Sequence, residues 1–183
     1  RILEEGHQNI KLQRAAAHEI DRLEEKDFDL IIINSVIQCF HGHNYLRNVI
    51  RKAIDRMGSR GYFFIGDIMD QDLKEQMMAD LVAFKRAHGG THYKTKIDWS
   101  EELFISRSFW QDLALDCPEI NNIEFTGKIH TMENELTKFR YDALFYIDKS
   151  KHKEKSGPRH KNQHDMRLLG VYGAGGGTGG AAD

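Results

Sequence analysis

Asp29-Leu30-Ile31-Ile32-Ile33-Asn34 is apolar at consecutive positions rather than alternate ones, and it closes on a polar residue. A strand with water on one side alternates, so a continuous run is the pattern of a strand covered on both faces, as in a parallel sheet flanked by helices. After His41-Gly42-His43, the residues Tyr45, Leu46, Val49, Ile50, Ala53, Ile54 and Met57 recur at helical spacing, with Asn44 placed to cap the start and Gly58 the end. Gly61-Tyr62-Phe63-Phe64-Ile65-Gly66-Asp67 then reads as a second buried strand. Strand, helix and strand in this order predict two parallel strands joined by a right-handed crossover, and hence an α/β fold.

Downstream, Asp70 is placed to cap a helix carrying Leu73, Met77, Leu81 and Phe84 on one face, with Gly89-Gly90 as its stop. A shorter helix is expected from Ser108, with Phe109, Trp110, Leu113 and Ala114 turned inward, ending before Pro118. Residues 122–130 and 139–147 read as strands joined by a polar loop over 131–138. The character changes at Lys149. Residues 149–167 are rich in Lys, His and Arg, and residues 170–183 in glycine, so 1–148 is expected to be the folded part and 149–183 a basic, then flexible linker. Gly175, Gly177 and Gly180 have the spacing of a dinucleotide loop. Such a loop needs a strand before it and a helix after it, so the linker is the favoured reading.

Hydrophobic residues make up 40% of the 183-residue chain and charged ones 30%, which excludes both a disordered chain and a membrane span. The net charge of -2 gives no basic stripe for nucleic acid, so neither nucleic acid nor membrane is an expected partner. Cys39 and Cys117 lie far apart in apolar stretches, which argues against a disulfide framework and suits a reducing, cytoplasmic setting. Among the histidines, His88 and His92 are separated by two glycines, and His160 and His164 fall in the basic linker. No metal site is expected.

In open α/β sheets ligands bind beyond the carboxyl ends of the strands, where Asn34-Ser35 and Gly66-Asp67 stand. These four are candidates by position. The plainer alternative is that Asn34 and Asp67 merely terminate strands and cap the following turns.

The segment from Phe28 to Phe40, with Asn34-Ser35-Val36-Ile37-Gln38-Cys39-Phe40 at its end, resembles the "FD-apolar-NSV-x-QYF" signature of the methyltransferase domains inserted in nonribosomal peptide synthetases; Cys39 replaces the usual Tyr. Tyr45-Leu46, the helix, and Arg60-Gly61-Tyr62-Phe63-Phe64-Ile65-Gly66-Asp67 are similar to the same family's "YL" and "GG-x-x-FIGD" elements. Glu101-Glu102-Leu103, Phe109-Trp110, and above all Asn134-Glu135-Leu136-Thr137-Lys138-Phe139-Arg140-Tyr141-Asp142 resemble its closing elements, in the right order over residues 9–148.

The resemblance implies a Rossmann-like class I methyltransferase fold with S-adenosylmethionine as cofactor. It also implies methyl transfer to the α-amine of an aminoacyl thioester. The partners it implies are a peptidyl carrier protein bearing a phosphopantetheine-linked amino acid and an adjoining adenylation domain. By the same resemblance, Asp67 or Glu135 would orient the amine or take its proton beside Asn134, and Gln38, Arg140 and Tyr141 would face the substrate. Asn34 and Ser35 would face the cofactor. A weak strand over residues 9–13 would lead into Arg14-Ala15-Ala16-Ala17-His18-Glu19, passing the adenine through the Ala16 backbone or His18. The bland alternatives are loop roles for Asn134 and Glu135, and for Arg140 an ion pair with Asp142 or Glu133 worth about 0–1 kcal/mol if exposed.

The family's first strand, its Gly-rich turn and the acidic residue after its second strand do not appear ahead of Phe28. Residues 1–27 are too few for two βα units of roughly 30 residues each. The resemblance therefore implies a C-terminal half of the domain, inactive alone. It predicts an unpaired edge on the strand 29–34, with poor solubility. The alternatives are a free-standing small-molecule methyltransferase and a non-catalytic interaction module of a synthetase.

Overall fold

The computed structural model describes residues 10–88, 102–150 and 166–172. The strands are β1 (Phe28–Asn34), β2 (Met57–Asp70), β3 (Phe104–Ile105), β4 (Ile120–Gly127), β5 (Arg140–Asp148) and β6 (Leu168–Tyr172). The helices are α1 (His43–Arg56), α2 (Lys74–Ala87), α3 (Arg107–Asp116) and the single turn α4 (Glu135–Lys138). One sheet of order β4-β5-β2-β1-β6 results, with β3 paired to the end of β2. β1 runs parallel to β2 and β6, while β5 runs antiparallel to β2 and β4.

The predicted β-α-β unit is present, with α1 as the crossover. The helix starts at Gly42, whose φ of 138° suits a residue without Cβ, rather than at Asn44. It ends a residue before Met57, which opens a strand longer than the sequence suggests. Leu46, Val49, Ile50, Ala53 and Ile54 pack with Trp110 and Leu113 of α3 over the sheet face carrying Ile31, Ile33, Phe63, Ile65, Ala143 and Phe145. Trp110 is fully buried there, and its truncation to alanine would cost about 3–5 kcal/mol.

The sequence expectation of cover on both faces needs correction. Burial alternates strictly along β5, and Leu30, Ile32 and Phe64 are only half-buried. On that second face the packed cluster is small and lies at the end of β2, where Met77 and Leu81 of α2 meet Met69, Phe104 and Phe139. Phe84, expected on the inner face of α2, is exposed and stacks on His88. Asp70, expected to cap α2, caps instead the short 3-10 turn Gln71–Leu73 that leads into it, its Oδ1 accepting from the Asp72 amide, while α2 starts after Leu73 with no side-chain cap. Ser106 rather than Ser108 caps α3, its hydroxyl accepting from the Phe109 amide.

Two further expectations change. Residues 10–13 form no strand, and the chain there runs irregularly into a 3-10 turn at Ala17–Arg22. Leu168–Tyr172, read as the start of a flexible tail, is a strand on the free edge of β1, so that edge is paired rather than open. Residue 9, the Gly89-Gly90 stop, His92, His160, His164 and the glycines from 173 onward lie outside the described residues.

Candidate functional site

β1 and β2 end side by side, with Asn34 opposite Gly66. The approach is close enough that a Cβ on Gly66 would sit 2.1 Å from the Asn34 Oδ1, so any larger residue there would push the Asn34 amide out of its place. Immediately after it, the β2–β5 register slips between Ile65 and Ile68. Asp67 sits in this bulge at a φ of 67°, and Ser35 beyond β1 at 55°. A bulge re-aims a side chain that a regular strand would leave in the pleat. The Asp67 amide, withdrawn from the ladder, donates to the Asp142 Oδ1 at 2.8 Å.

The Asp67 carboxylate is thereby held at the centre of a polar cluster. Its Oδ2 accepts from the Ser35 hydroxyl at 3.0 Å and from the Arg140 guanidinium at 2.5 Å. Lys128 lies 3.6 Å from its Oδ1 and 2.5 Å from the Asp142 Oδ1. The four charged side chains are between 11% and 20% exposed, which makes their hydrogen bonds stronger than surface pairs while keeping one side open to solvent. Two anions and two cations leave the cluster neutral. Asp67 retains acceptor capacity on Oδ1, because a carboxylate offers about four lone-pair sites.

Asn34 donates to the Ser35 hydroxyl at 3.1 Å, and Gln38 Nε2 donates to the Ser35 carbonyl at 3.0 Å. The Gln38 Oε1 is buried with no hydrogen-bond partner among the described residues. The structure thus brings together Asn34, Ser35, Gln38, Asp67 and Arg140. Lys128 and Asp142 join them without having been singled out from sequence; Asp142 closes the motif beginning at Asn134, and Lys128 follows the last residue of β4.

Other candidates stand apart. Asn134 caps α4, its Oδ1 accepting from the Leu136 and Thr137 amides at 2.9 and 3.1 Å, and Glu135 is exposed on that helical turn. Tyr141 is 1% exposed; its hydroxyl accepts from Trp110 Nε1 at 2.6 Å and donates to the Ile105 carbonyl at 3.0 Å. Burial pushes that phenol well above its ordinary value, partly offset by the Trp110 hydrogen bond. Such a group is a core strut with no face toward a substrate. His18 is exposed and pairs with the Tyr45 hydroxyl at 2.9 Å. Ala16 faces a cavity of about 800 Å³ bounded by residues 11–17, Ile33 and residues 166–171. Among the described residues no group of three or more His, Cys, Asp or Glu could hold a metal ion, and no helix is long and apolar enough to cross a membrane.

No family model matches the chain. The fold is that of the class I methyltransferases. The S-adenosylmethionine-dependent methyltransferase SibL in its apo form superposes with a TM-score of 0.52 over 80% of this chain and 38% of that one, at 11% identity. Within that class, the chain is homologous to a stretch of the nonribosomal peptide synthetases. It is 30% identical over 147 residues to chondramide synthase of Chondromyces crocatus, and 31% identical over 127 residues to cyclosporin synthetase of Tolypocladium inflatum. These alignments cover 76% and 65% of this chain but span only 4% and 1% of the two synthetases.

Proposed function

We propose that this chain is the acceptor-side part of a methyltransferase unit of a nonribosomal peptide synthetase, transferring methyl from S-adenosylmethionine to the α-amine of an aminoacyl thioester held on a peptidyl carrier protein. The observation that carries the reading is the Asp67 carboxylate, re-aimed by the bulge to the carboxyl ends of β1 and β2 and steadied there by Ser35 and Arg140. Synthetase homology and the fold support the setting.

The cavity beside β1 and β6 has room for part of the cofactor. The cavity is within the range of small-molecule sites and runs along β1 and β6 as far as Ile33 and Val171, next to the strand ends. Ala16 would border the adenine, while Asn34 and Ser35 would meet the polar part. When bound, the cofactor supplies an electrophilic methyl on a sulfonium. This chain's residues would hold the amine nitrogen in line with that methyl, where alignment provides most of the acceleration. The free acceptor position on Asp67 would take a hydrogen bond from the amine and receive its proton. Arg140, Lys128 and Asp142 would position that carboxylate.

The test is methyl transfer from labelled S-adenosylmethionine to an aminoacyl carrier protein by the synthetase containing this chain. Asp67→Asn keeps the shape and most hydrogen bonds, and is expected to lower transfer by about 10²–10⁴-fold with cofactor binding retained. Unchanged transfer would remove Asp67 from the mechanism.

A further inference from the structure

The connection between β4 and β5 is built as a unit, although the site described above uses only its two ends. Gly127 and Tyr141 pair across its base, so residues 128–139 form a compact surface loop whose ends meet. Inside the loop Asn134 caps α4, and the Asn134 amide donates to the Thr137 hydroxyl at 2.9 Å. Lys138 ties the turn to α2 by donating to the Asp80 carboxylate at 2.6 Å. The Phe139 ring is buried, and its carbonyl accepts from the Asp70 amide at 3.0 Å. On this frame Ile129 is 105% exposed, Met132 75% and Leu136 47%. Single exposed apolar residues are ordinary, but three on one internally bonded loop mark a contact surface.

The loop stands on Asp67 with both feet. Lys128, its first residue, lies 3.6 Å from the Asp67 Oδ1, and Arg140, just past its end, donates to the Asp67 Oδ2 at 2.5 Å. The sheet order puts β4 and β5 on one side of β2, and the cavity along β6 on the far side of β1. A nucleophile displaces sulfur in line, from the side opposite to the leaving group, so an acceptor meeting a cofactor in that cavity comes from the side of the loop. An aminoacyl group tethered to a carrier protein brings the carrier's own surface to rest an arm's length from Asp67. A second copy of this chain seated there would instead close the way to Asp67. Three side chains also fall far short of the roughly 800 Å² per partner of a stable interface, and they suit a partner that docks and leaves with each turnover.

We propose that Ile129, Met132 and Leu136 form the docking surface for the body of the aminoacyl carrier protein, and that the capped turn over residues 134–137 serves to hold them in place. This deepens the methyl-transfer reading above and rests on it. The loop touches the carrier's protein surface, while the arm and the aminoacyl group pass on to Asp67.

The test uses the synthetase containing this chain, with its own carrier left without the phosphopantetheine arm, and two acceptors offered in solution. One is the aminoacyl carrier protein, the other the same aminoacyl group on pantetheine alone. The triple variant Ile129→Ser, Met132→Ser, Leu136→Ser alters exposed side chains and should leave the melting temperature unchanged. The expected result is a KM for the carrier-bound acceptor raised about tenfold or more, the scale of truncating an interface anchor. The kcat, the affinity for S-adenosylhomocysteine and the kinetics on aminoacyl-pantetheine should stay those of the parent. An equal loss on both acceptors overturns the proposal, because the loop would then touch the arm or shape the site. Unchanged kinetics on both acceptors overturns it as well, and a parent dimer that the variant turns into monomer would then assign the loop to a second copy. Transfer by the parent to aminoacyl-pantetheine but not to the carrier protein overturns the proposal and leaves the methyl-transfer chemistry standing. No transfer by the parent to either acceptor overturns both.

Discussion

Tyr141 shows how a residue in a recognisable motif can be structural. Its hydroxyl bridges Trp110 and the Ile105 carbonyl inside the core. Tyr141→Phe would leave the Trp110 N–H and the Ile105 oxygen without partners, a cost of about 1–3 kcal/mol in urea denaturation at neutral pH. The substrate KM should not move. The phenol also predicts an alkaline limit. Its folded-state value lies above the ordinary 10.0, so as pH rises the unfolded chain gives up this proton first. Stability from this group is whole below about pH 10 and falls above it by about 1.4 kcal/mol per pH unit. Cys117, raised chiefly by burial from an ordinary 9.0, adds a slope of the same sign. Urea midpoints across pH 8–11 should show a shallower decline in Tyr141→Phe than in the parent; parallel declines would exclude Tyr141 as a source. Strand-end position picked out Asp67 and Ser35 and the family motifs added Gln38 and Arg140, which do meet, but neither signal could separate these from Tyr141 and Asn134. Adjacent residues of one strand point to opposite faces, so Arg140 reaches Asp67 while Tyr141 enters the core.

At the scale of elements, apolar periodicity was enough to place β1, α1, β2 and α3 to within a few residues. It failed where pairing partners decide. β6 is five residues with Gly170 in the middle, too short and too weak in propensity to announce itself; the free edge of β1 makes it a strand. Cover on the second face was also illegible, because a run of isoleucines does not say how many helices lie over it. α2 illustrates the consequence. Only Met77 and Leu81 of its fourteen residues are buried, against five buried residues in α1. Its ion pair between Asp80 and Lys138 is partly exposed and adds little. Native-state hydrogen exchange should therefore show α2 opening in a sub-global step, at lower denaturant than α1 and the central strands. Protection of α2 amides equal to that of α1 would mean that the small Met69, Phe104 and Phe139 cluster couples the two faces more tightly than its size suggests.

For the whole molecule, the pairing of β6 moves the source of stickiness. The sequence located it in an unpaired β1 edge, yet that edge is occupied, and the outer strand β4 at the other end carries exposed Asn121, Asn122, Glu124 and Thr126. Among the described residues, what remains apolar and only partly covered is the second sheet face. Leu30, Ile32, Phe64, Leu144 and Tyr146 are half-buried there, Tyr62 is 50% exposed, and Tyr62 and Tyr146 meet edge to face at 5.4 Å. A contiguous apolar face of this kind drives association through area, whereas an open edge drives it through backbone pairing. The two causes respond differently to substitution. Tyr62→Lys places a charge in the middle of the face and leaves every backbone hydrogen bond in place. Sedimentation velocity over a range of concentrations should show the parent chain associating, with little sensitivity to salt, and Tyr62→Lys shifted toward monomer. A Glu124→Lys change on β4 should have no such effect. Association that survives Tyr62→Lys but yields to a proline introduced in β6 would return the cause to a strand edge, and a parent chain monomeric at all concentrations would mean that neither surface is adhesive.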